Sequence, residues 1–311
     1  MSSIIVTGSS GYLGRKLVAR FREERHHVIG VDLHKPDADF PDDFVESDIR
    51  NPDLVDQLRP YRPAAIVHCA FLIKQLRNSS EMADVNVGGT KNVLRIVEEL
   101  QPRQFLFLSS ATAFGAWPDN PVPIPDGTPP NGRWAYQYSG EKSDLEQEVR
   151  QLSDRYPDMI VSWVRPAIVG GPRMDNFLGR FIFGLPFLMK LDGYDQPLQF
   201  VHEDDVVRGI LAVLTQNGRG SFNLAPPGHT TLSEIAAMTN RRVFSIPFWL
   251  GYASAWIAWK IHFRPHESPP GFLYFARYPW VVSPNRLIDE LEFEFTYTST
   301  ETVRESFSHM T

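Results

Sequence analysis

The chain has 311 residues, a formal net charge of −6, 42% hydrophobic and 22% charged residues. That length is enough for one large α/β domain or for a nucleotide domain with a partner domain, and the composition excludes a disordered chain. The acidic balance without a basic stripe argues against a nucleic-acid partner, and the single cysteine, Cys69, excludes an intramolecular disulfide and a cysteine zinc cluster, so no metal site is expected.

An apolar run at 4–6 predicts a buried strand, and no signal peptide precedes it, so a cytoplasmic protein is expected. The run enters Val6-Thr7-Gly8-Ser9-Ser10-Gly11-Tyr12-Leu13-Gly14 and then a helix over 15–25, with Leu13, Leu17, Val18 and Phe21 on one face. Strand, glycine turn and helix come in the order that a dinucleotide pyrophosphate requires. Gly8 takes the tight turn, Gly11 lets phosphate approach the backbone, Gly14 lets helix and strand pack closely, and the first helical turn, with Tyr12 and Leu13, turns its N–H groups to the anion. A purely structural glycine turn is the competing reading. A second strand over 27–31 ends in Asp32, about 20 residues after the loop, where a carboxylate hydrogen-bonds the adenosine ribose. This predicts NAD in preference to NADP; His34 and Lys35 close behind keep NADP as the lesser alternative.

A third strand is expected over 44–50, which places Asp48 at the sheet's carboxyl edge, near the adenine. Residues 51–58 read as a helix, and 64–70 as a strand buried on both faces, with His68 a core histidine and Cys69 a small buried core residue. One long helix over 80–100, with Val85, Val93, Leu94 and Val97 as its apolar stripe, precedes a strand over 104–108. The alternation predicts an α/β fold, a Rossmann-type doubly wound parallel sheet with its ligand at the strands' carboxyl ends.

Ser109-Ser110-Ala111-Thr112-Ala113-Phe114-Gly115 ends that strand, and prolines at 118, 121, 123, 125, 129 and 130 then stiffen a surface loop suited to a pocket wall. Tyr136-Gln137-Tyr138-Ser139-Gly140-Glu141-Lys142 opens a charged helix reaching about 154, so Tyr138 and Lys142, at i and i+4, share one face. Tyr12 and Lys16 have the same spacing but belong to the phosphate turn.

With these motifs in place the chain resembles, over essentially its whole length, the extended short-chain dehydrogenases/reductases, the NAD-dependent epimerase/dehydratase family. The other landmarks follow in order: Asp48-Ile49, His68-Cys69-Ala70, Asn86-Val87-Gly88-Gly89-Thr90, Arg165-Pro166 and Phe200-Val201-His202-Glu203-Asp204-Asp205-Val206. The resemblance implies that Tyr138 is the general acid/base, that Ser110 holds the reacting oxygen, and that Lys142 lowers the tyrosine pKa and binds the nicotinamide ribose. It further implies that Asp48, Ile49, Cys69, Ala70 and Asn86 contribute to the cofactor site, that Thr112, Ile168 and Leu198 face a small-molecule substrate, and that helices near 81–100 and 138–154 form a homodimer.

Family dehydratases carry acidic residues where this chain has Ala111 and Thr112, which argues against dehydration. Nucleotide-sugar epimerases of the family usually carry an asparagine and an arginine where it has Ile168 and Leu198, with Arg173 or Arg180 as candidate replacements. The second half is apolar at 177–178, 181–183 and 185–189, and 243–259 contains no charged residue; the latter is expected to be a buried or pocket-lining helix, with an interfacial membrane contact as the second reading. An NAD-binding domain is expected over 1–166, with 200–224 returning to it, and a smaller, interleaved C-terminal substrate-binding part over 167–199 and 225–311. The expected activity is NAD-dependent hydride transfer to or from a secondary alcohol or ketone of an apolar substrate; the alternatives are a sugar epimerase acting through a transient ketone and a non-catalytic NAD sensor.

Overall fold

Residues 2–36, 40–172, 174, 187–262 and 269–310 are described by a computed structural model. The strands of its main sheet are β1 (Ser3–Thr7), β2 (His27–Asp32), β3 (Asp43–Glu46), β4 (Ala65–His68), β5 (Gln104–Leu108), β6 (Ile160–Pro166) and β11 (Gly220–Leu224), in the spatial order β11-β6-β5-β4-β1-β2-β3. Every pairing from β3 across to β6 is parallel. The order reverses at β1, whose Val6 lies beside Gly30 of β2 and Val67 of β4. Crossovers leave that strand in opposite directions, so ligands of such sheets bind at its carboxyl end. Ile5, Ile29, Ile66, Phe105 and Phe107 from the strands pack with Val93, Val97, Leu145 and Val149 into one apolar core.

Two compact units share the chain. The first holds residues 1–109, 144–164 and 207–221; the second holds 110–143, 165–206 and 222–311. The second unit, expected to be the smaller, takes the larger share because 110–143 belongs to it. The reason lies in where the proline loop finds its partners. Ile124 donates its N–H to Val281 O (2.7 Å) and accepts from Ser283 N–H (2.9 Å), and Asn120 Nδ2 donates to Pro279 O (2.8 Å). The second unit also carries three two-stranded sheets: β7 (Ile168–Gly170) with β10 (Phe200–His202), β8 (Phe187–Leu191) with β13 (Arg242–Ile246), and β9 (Pro197–Leu198) with β12 (Thr230–Thr231).

In the first unit, α1 (Tyr12–Glu23) and α2 (Leu54–Leu58) fall where the apolar spacing placed helices. The expected helix over 80–100 is interrupted. It consists of α3 (Ser79–Ala83), a π-turn at Asp84–Gly88, and α4 (Gly89–Leu100). Asn86 in the widened turn is fully buried; its Oδ1 accepts the Leu72 N–H at 2.8 Å and its Nδ2 donates to Leu72 O at 3.2 Å. His68 is a core residue as expected: its ring nitrogens meet Thr7 Oγ1 (2.6 Å) and Thr90 Oγ1 (3.0 Å), and its ring stacks on Phe107. Cys69 is not the buried core residue expected, because β4 ends at His68 and leaves the thiol half-buried.

A long helix, α5 (Gln137–Arg155), begins in the second unit, and α6 (Glu203–Thr215) and α7 (Leu232–Met238) follow. The segment 243–259 departs from expectation in two ways. Its start is strand β13, and Pro247, extended at φ −59° and ψ 139°, closes that strand and opens α8 (Phe248–Lys260). The helix is not buried: only Gly251 and Ala255 are, whereas Trp249 is 69% exposed. Among the described residues no helix is long and apolar enough to cross a membrane.

A Cβ at Gly14 would run into the carbonyl oxygen of Gly8, and one at Gly8, where φ is +71°, would stand 2.6 Å from the Ala70 nitrogen. Both obstacles are backbone and cannot rotate aside. Gly14→Ala is therefore expected to destabilise the first unit by about 1–3 kcal/mol, read as a lowered denaturation midpoint; an unchanged midpoint would show that the turn relaxes freely.

Candidate functional site

The nucleotide turn lies at the carboxyl end of β1 in the first unit. Gly8 N–H bonds Val31 O of β2 at 2.9 Å and Gly11 N–H bonds Gly8 O at 3.0 Å, which ties the loop to the neighbouring strand and closes its turn. Gly11 precedes α1 in extended geometry, no side chain caps the helix, and its first turn holds no acidic residue. Such a helix start attracts an anion through its backbone dipoles. Gly14 is buried, and Tyr12 and Leu13 are half-buried beside it. Asp32 is the last residue of β2, and its carboxylate accepts the N–H groups of Ser10 (2.9 Å) and Leu33 (2.7 Å). The acidic group is thereby tied to the glycine turn itself.

Asp48 falls after β3 instead of within it, because the strand stops at Glu46. Its carboxylate accepts Arg50 Nη2 at 2.6 Å and Nε at 3.0 Å, while Arg50 Nη1 reaches Asp84 at 2.6 Å. The guanidinium holds the Asp48 carboxyl below its ordinary range. Ile49 is buried beneath Gly89, where a Cβ would stand 2.5 Å from its side chain. Cys69 and Ala70 follow β4 directly, with Cys69 N–H on Thr7 O at 3.1 Å, and Asn86 spends both ends of its amide on Leu72. Arg50 escaped the sequence reading; its place two residues after Asp48 was the available signal.

Ser110, Tyr138 and Lys142 all belong to the second unit. Ser110 opens a 3-10 turn over Ala111–Phe114, and its Oγ accepts both the N–H (3.2 Å) and the hydroxyl (2.9 Å) of Thr112. A serine oxygen has two lone pairs and one proton. With Thr112 occupying the acceptor side, the Ser110 proton is left to donate. Ser110 is hydrogen-bonded to Tyr138, and that bond lowers the phenol's pKa, although burial and the Glu141 charge outweigh it and push the value up to about 12. Burial dominates, and the Lys142 ammonium lies 5.9 Å from the Tyr138 ring centroid.

Two further residues hold this arrangement. Ser139 Oγ donates to Thr112 O at 2.7 Å and accepts the Arg133 N–H at 2.8 Å, pinning the first turn of α5 to the turn that carries Ser110. Tyr136 packs on Tyr138 at 5.8 Å and edge-on against Phe272 and Phe275, and its burial raises its own pKa. Only their positions beside Tyr138 pointed to either residue. Of the expected substrate positions, Thr112 is turned to Ser110, Ile168 is buried in β7 opposite Phe200 with its N–H on Gln199 O at 3.1 Å, and Leu198 is buried in β9 opposite Thr230. Arg173, Arg180 and the apolar stretches at 177–178, 181–183 and 185–186 lie outside the described residues.

An uncharacterized protein of Mycobacterium tuberculosis is 27% identical over 316 residues, covering 98% of this chain and 83% of the relative. The UDP-glucose 4-epimerase of Mycolicibacterium smegmatis is 28% identical over 254 residues, 74% of this chain and 79% of that protein. In fold, the chain is similar to the UDP-glucose 4-epimerase of Thermotoga maritima crystallised with UDP-glucose, at a TM-score of 0.75 and 19% identity, covering 99% and 98% of the two chains. A Bordetella bronchiseptica enzyme in complex with NAD+ gives a TM-score of 0.73 at 20% identity over 100% and 98%. Residues 4–225 match the NAD dependent epimerase/dehydratase family, and the chain belongs to that family of extended short-chain dehydrogenase/reductase enzymes.

Proposed function

We propose that this enzyme transfers a hydride between NAD and a secondary alcohol or ketone, with Tyr138 as the general acid/base. The observation that carries the reading is the bond between Ser110 and Tyr138, set by Thr112 on one side and Ser139 on the other. A proton donor and an oxygen clamp held together are what carbonyl reduction and alcohol oxidation both require.

The residues of the first unit fit a dinucleotide, since Gly11 leads into an uncapped helix start with no acidic residue in its first turn and the Asp32 carboxylate is held at the glycine turn. Gly8, Gly11, Tyr12, Leu13 and Gly14 would hold the pyrophosphate and Asp32 the adenosine ribose, with Asp48, Ile49, Cys69, Ala70 and Asn86 along the rest of the cofactor. When bound, NAD accepts or returns the hydride. Tyr138 carries the proton at its phenolic oxygen. Its raised pKa keeps the phenol protonated at neutral pH, the form that donates to a carbonyl oxygen. Oxidation needs the phenolate, which the Lys142 ammonium and the Ser110 hydroxyl favour by charge and by hydrogen bonding. A carboxylate at Asp32 would repel the extra phosphate of NADP, which supports NAD.

Ile168 and Leu198 offer no charge to a diphosphate, which supports a substrate more apolar than a nucleotide sugar. The Mycolicibacterium smegmatis relative favours a second reading, a sugar epimerase that returns the hydride to the opposite face of a transient ketone. Denaturing the purified protein and identifying released nucleotide separates the two. Stoichiometric NAD supports the epimerase, and an empty site that binds NAD reversibly supports a dehydrogenase or reductase.

Tyr138→Phe is expected to lower turnover by about 10²–10⁴-fold while the NAD dissociation constant stays within a few-fold; retained turnover would remove Tyr138 from the mechanism. Asp32→Ala should narrow the ratio of NADP to NAD dissociation constants, and an unchanged ratio would assign discrimination elsewhere. In the protein without cofactor, tyrosinate absorbance compared between wild type and Tyr138→Phe should show no ionisation of Tyr138 until the pH nears 12. A midpoint at or below 10 would mean that Lys142, not burial, sets its acidity.

A further inference from the structure

Helix α8 carries apolar side chains both inward and outward. Its small residues Gly251 and Ala255 face inward, while Trp249, Leu250, Trp256, Ile257 and, just past its end, Ile261 are 45–69% exposed. The inward side is filled by aromatic contacts: Phe248 and Tyr252 meet Tyr274 at 5.2 and 5.8 Å in tilted pairs, so the fold has already chosen which face to bury. Phe244, on the strand before the helix, is 49% exposed as well. Isolated exposed apolar side chains are ordinary, but a continuous helical face of two tryptophans and three aliphatic residues is not.

Charge around this face identifies what covers it. No aspartate or glutamate occurs from 241 to 262 in a chain of net charge −6, whereas Arg241 and Arg242 stand at the start of β13 and Lys260 ends the helix. Arg242 and Lys260 are exposed, and the Lys260 ammonium lies 5.7 Å from the Trp256 ring. Asp192, which accepts the Phe248 N–H at 2.8 Å, is paired with Arg277 at 2.7 Å. Tryptophans over an apolar face, with Lys260 at the helix end and exposed Arg242 in the adjoining strand, match the depth profile of a lipid headgroup region, where indoles sit at the boundary and cations meet phosphate. Thirteen helical residues extend only about 20 Å, too short to span a bilayer and suited to lying along it. We propose that α8 is an interfacial anchor that seats this protein on an anionic membrane surface.

The test uses the full chain with large unilamellar vesicles of phosphatidylcholine alone or with 30 mol% phosphatidylglycerol. The protein is expected to co-sediment with the anionic vesicles and much less with phosphatidylcholine, because each basic residue near such a surface adds roughly fivefold to partitioning. Brominated acyl chains should quench part of the tryptophan emission. Trp249→Ser with Trp256→Ser should cut partitioning at least tenfold and remove the quenching without altering turnover; both sites are exposed, and an unchanged circular dichroism spectrum verifies folding. Arg242→Glu with Lys260→Glu should weaken binding to the anionic vesicles most. Protein left in the supernatant at millimolar lipid, or binding indifferent to both double variants, would overturn the proposal. It would equally be overturned if the tryptophan variant converted a dimer to a monomer in analytical ultracentrifugation while the wild type ignored lipid, since a second copy would then be the occupant.

Discussion

The whole arrangement depends on how closely backbone approaches backbone at the end of β1. Gly14 passes the Gly8 carbonyl at a distance that excludes any side chain, and Gly8 in turn lies against Ala70 after β4. Three segments from two crossovers therefore meet with nothing but main chain between them. This contact sets the start of α1 and the height of the loop above the sheet. It also puts Asp32 within reach of the Ser10 N–H. A parallel sheet reverses its strand order where two crossovers diverge; here the divergence is kept narrow by the lack of Cβ atoms.

In the second unit the corresponding constraint is a chain of hydroxyl groups. Ser139 holds Thr112 by its carbonyl, Thr112 holds Ser110 by its hydroxyl and N–H, and Ser110 meets Tyr138. Thr112 occupies the acceptor side of the Ser110 oxygen, which leaves the Ser110 proton to donate. Desolvation by the aromatic packing around Tyr136 and Tyr138 then decides the resting protonation state. Lys142 is buried on the same helix face, its ammonium 5.9 Å from the Tyr138 ring centroid.

What was legible from the amino acids was local in character. The glycine turn, the apolar strands and the i, i+4 placement of Tyr138 and Lys142 follow from short-range sterics and helix period, and they appear where expected. A widened helical turn presents Asn86 inward, where its amide grips Leu72, and periodicity cannot foresee an extra residue in a turn. Thr112 and Ser139 carry no signal beyond adjacency, since a hydroxyl's partner is set by tertiary folding. For 243–259, hydrophobicity suggested burial, but Pro247 splits the run and Gly251 with Ala255 decides which side packs. An apolar composition says that a face must be covered; it does not say by what.

The π-turn at Asp84–Gly88 has one further consequence, for how the chain's length can vary. Such a turn holds one residue more than a regular helical turn. Met82 ahead of it and Thr90 and Val93 behind it are all buried, so the surplus residue is absorbed without rotating either flank out of the core. A relative with one residue fewer at this point would close the turn to an ordinary helix and keep both flanks in phase. It would give up the bulge that carries Asn86 to Leu72, and with it the hold on the loop after β4. The turn thus acts as an indel joint, where a single-residue change in length alters the tether of one loop and leaves the layers of the fold in place.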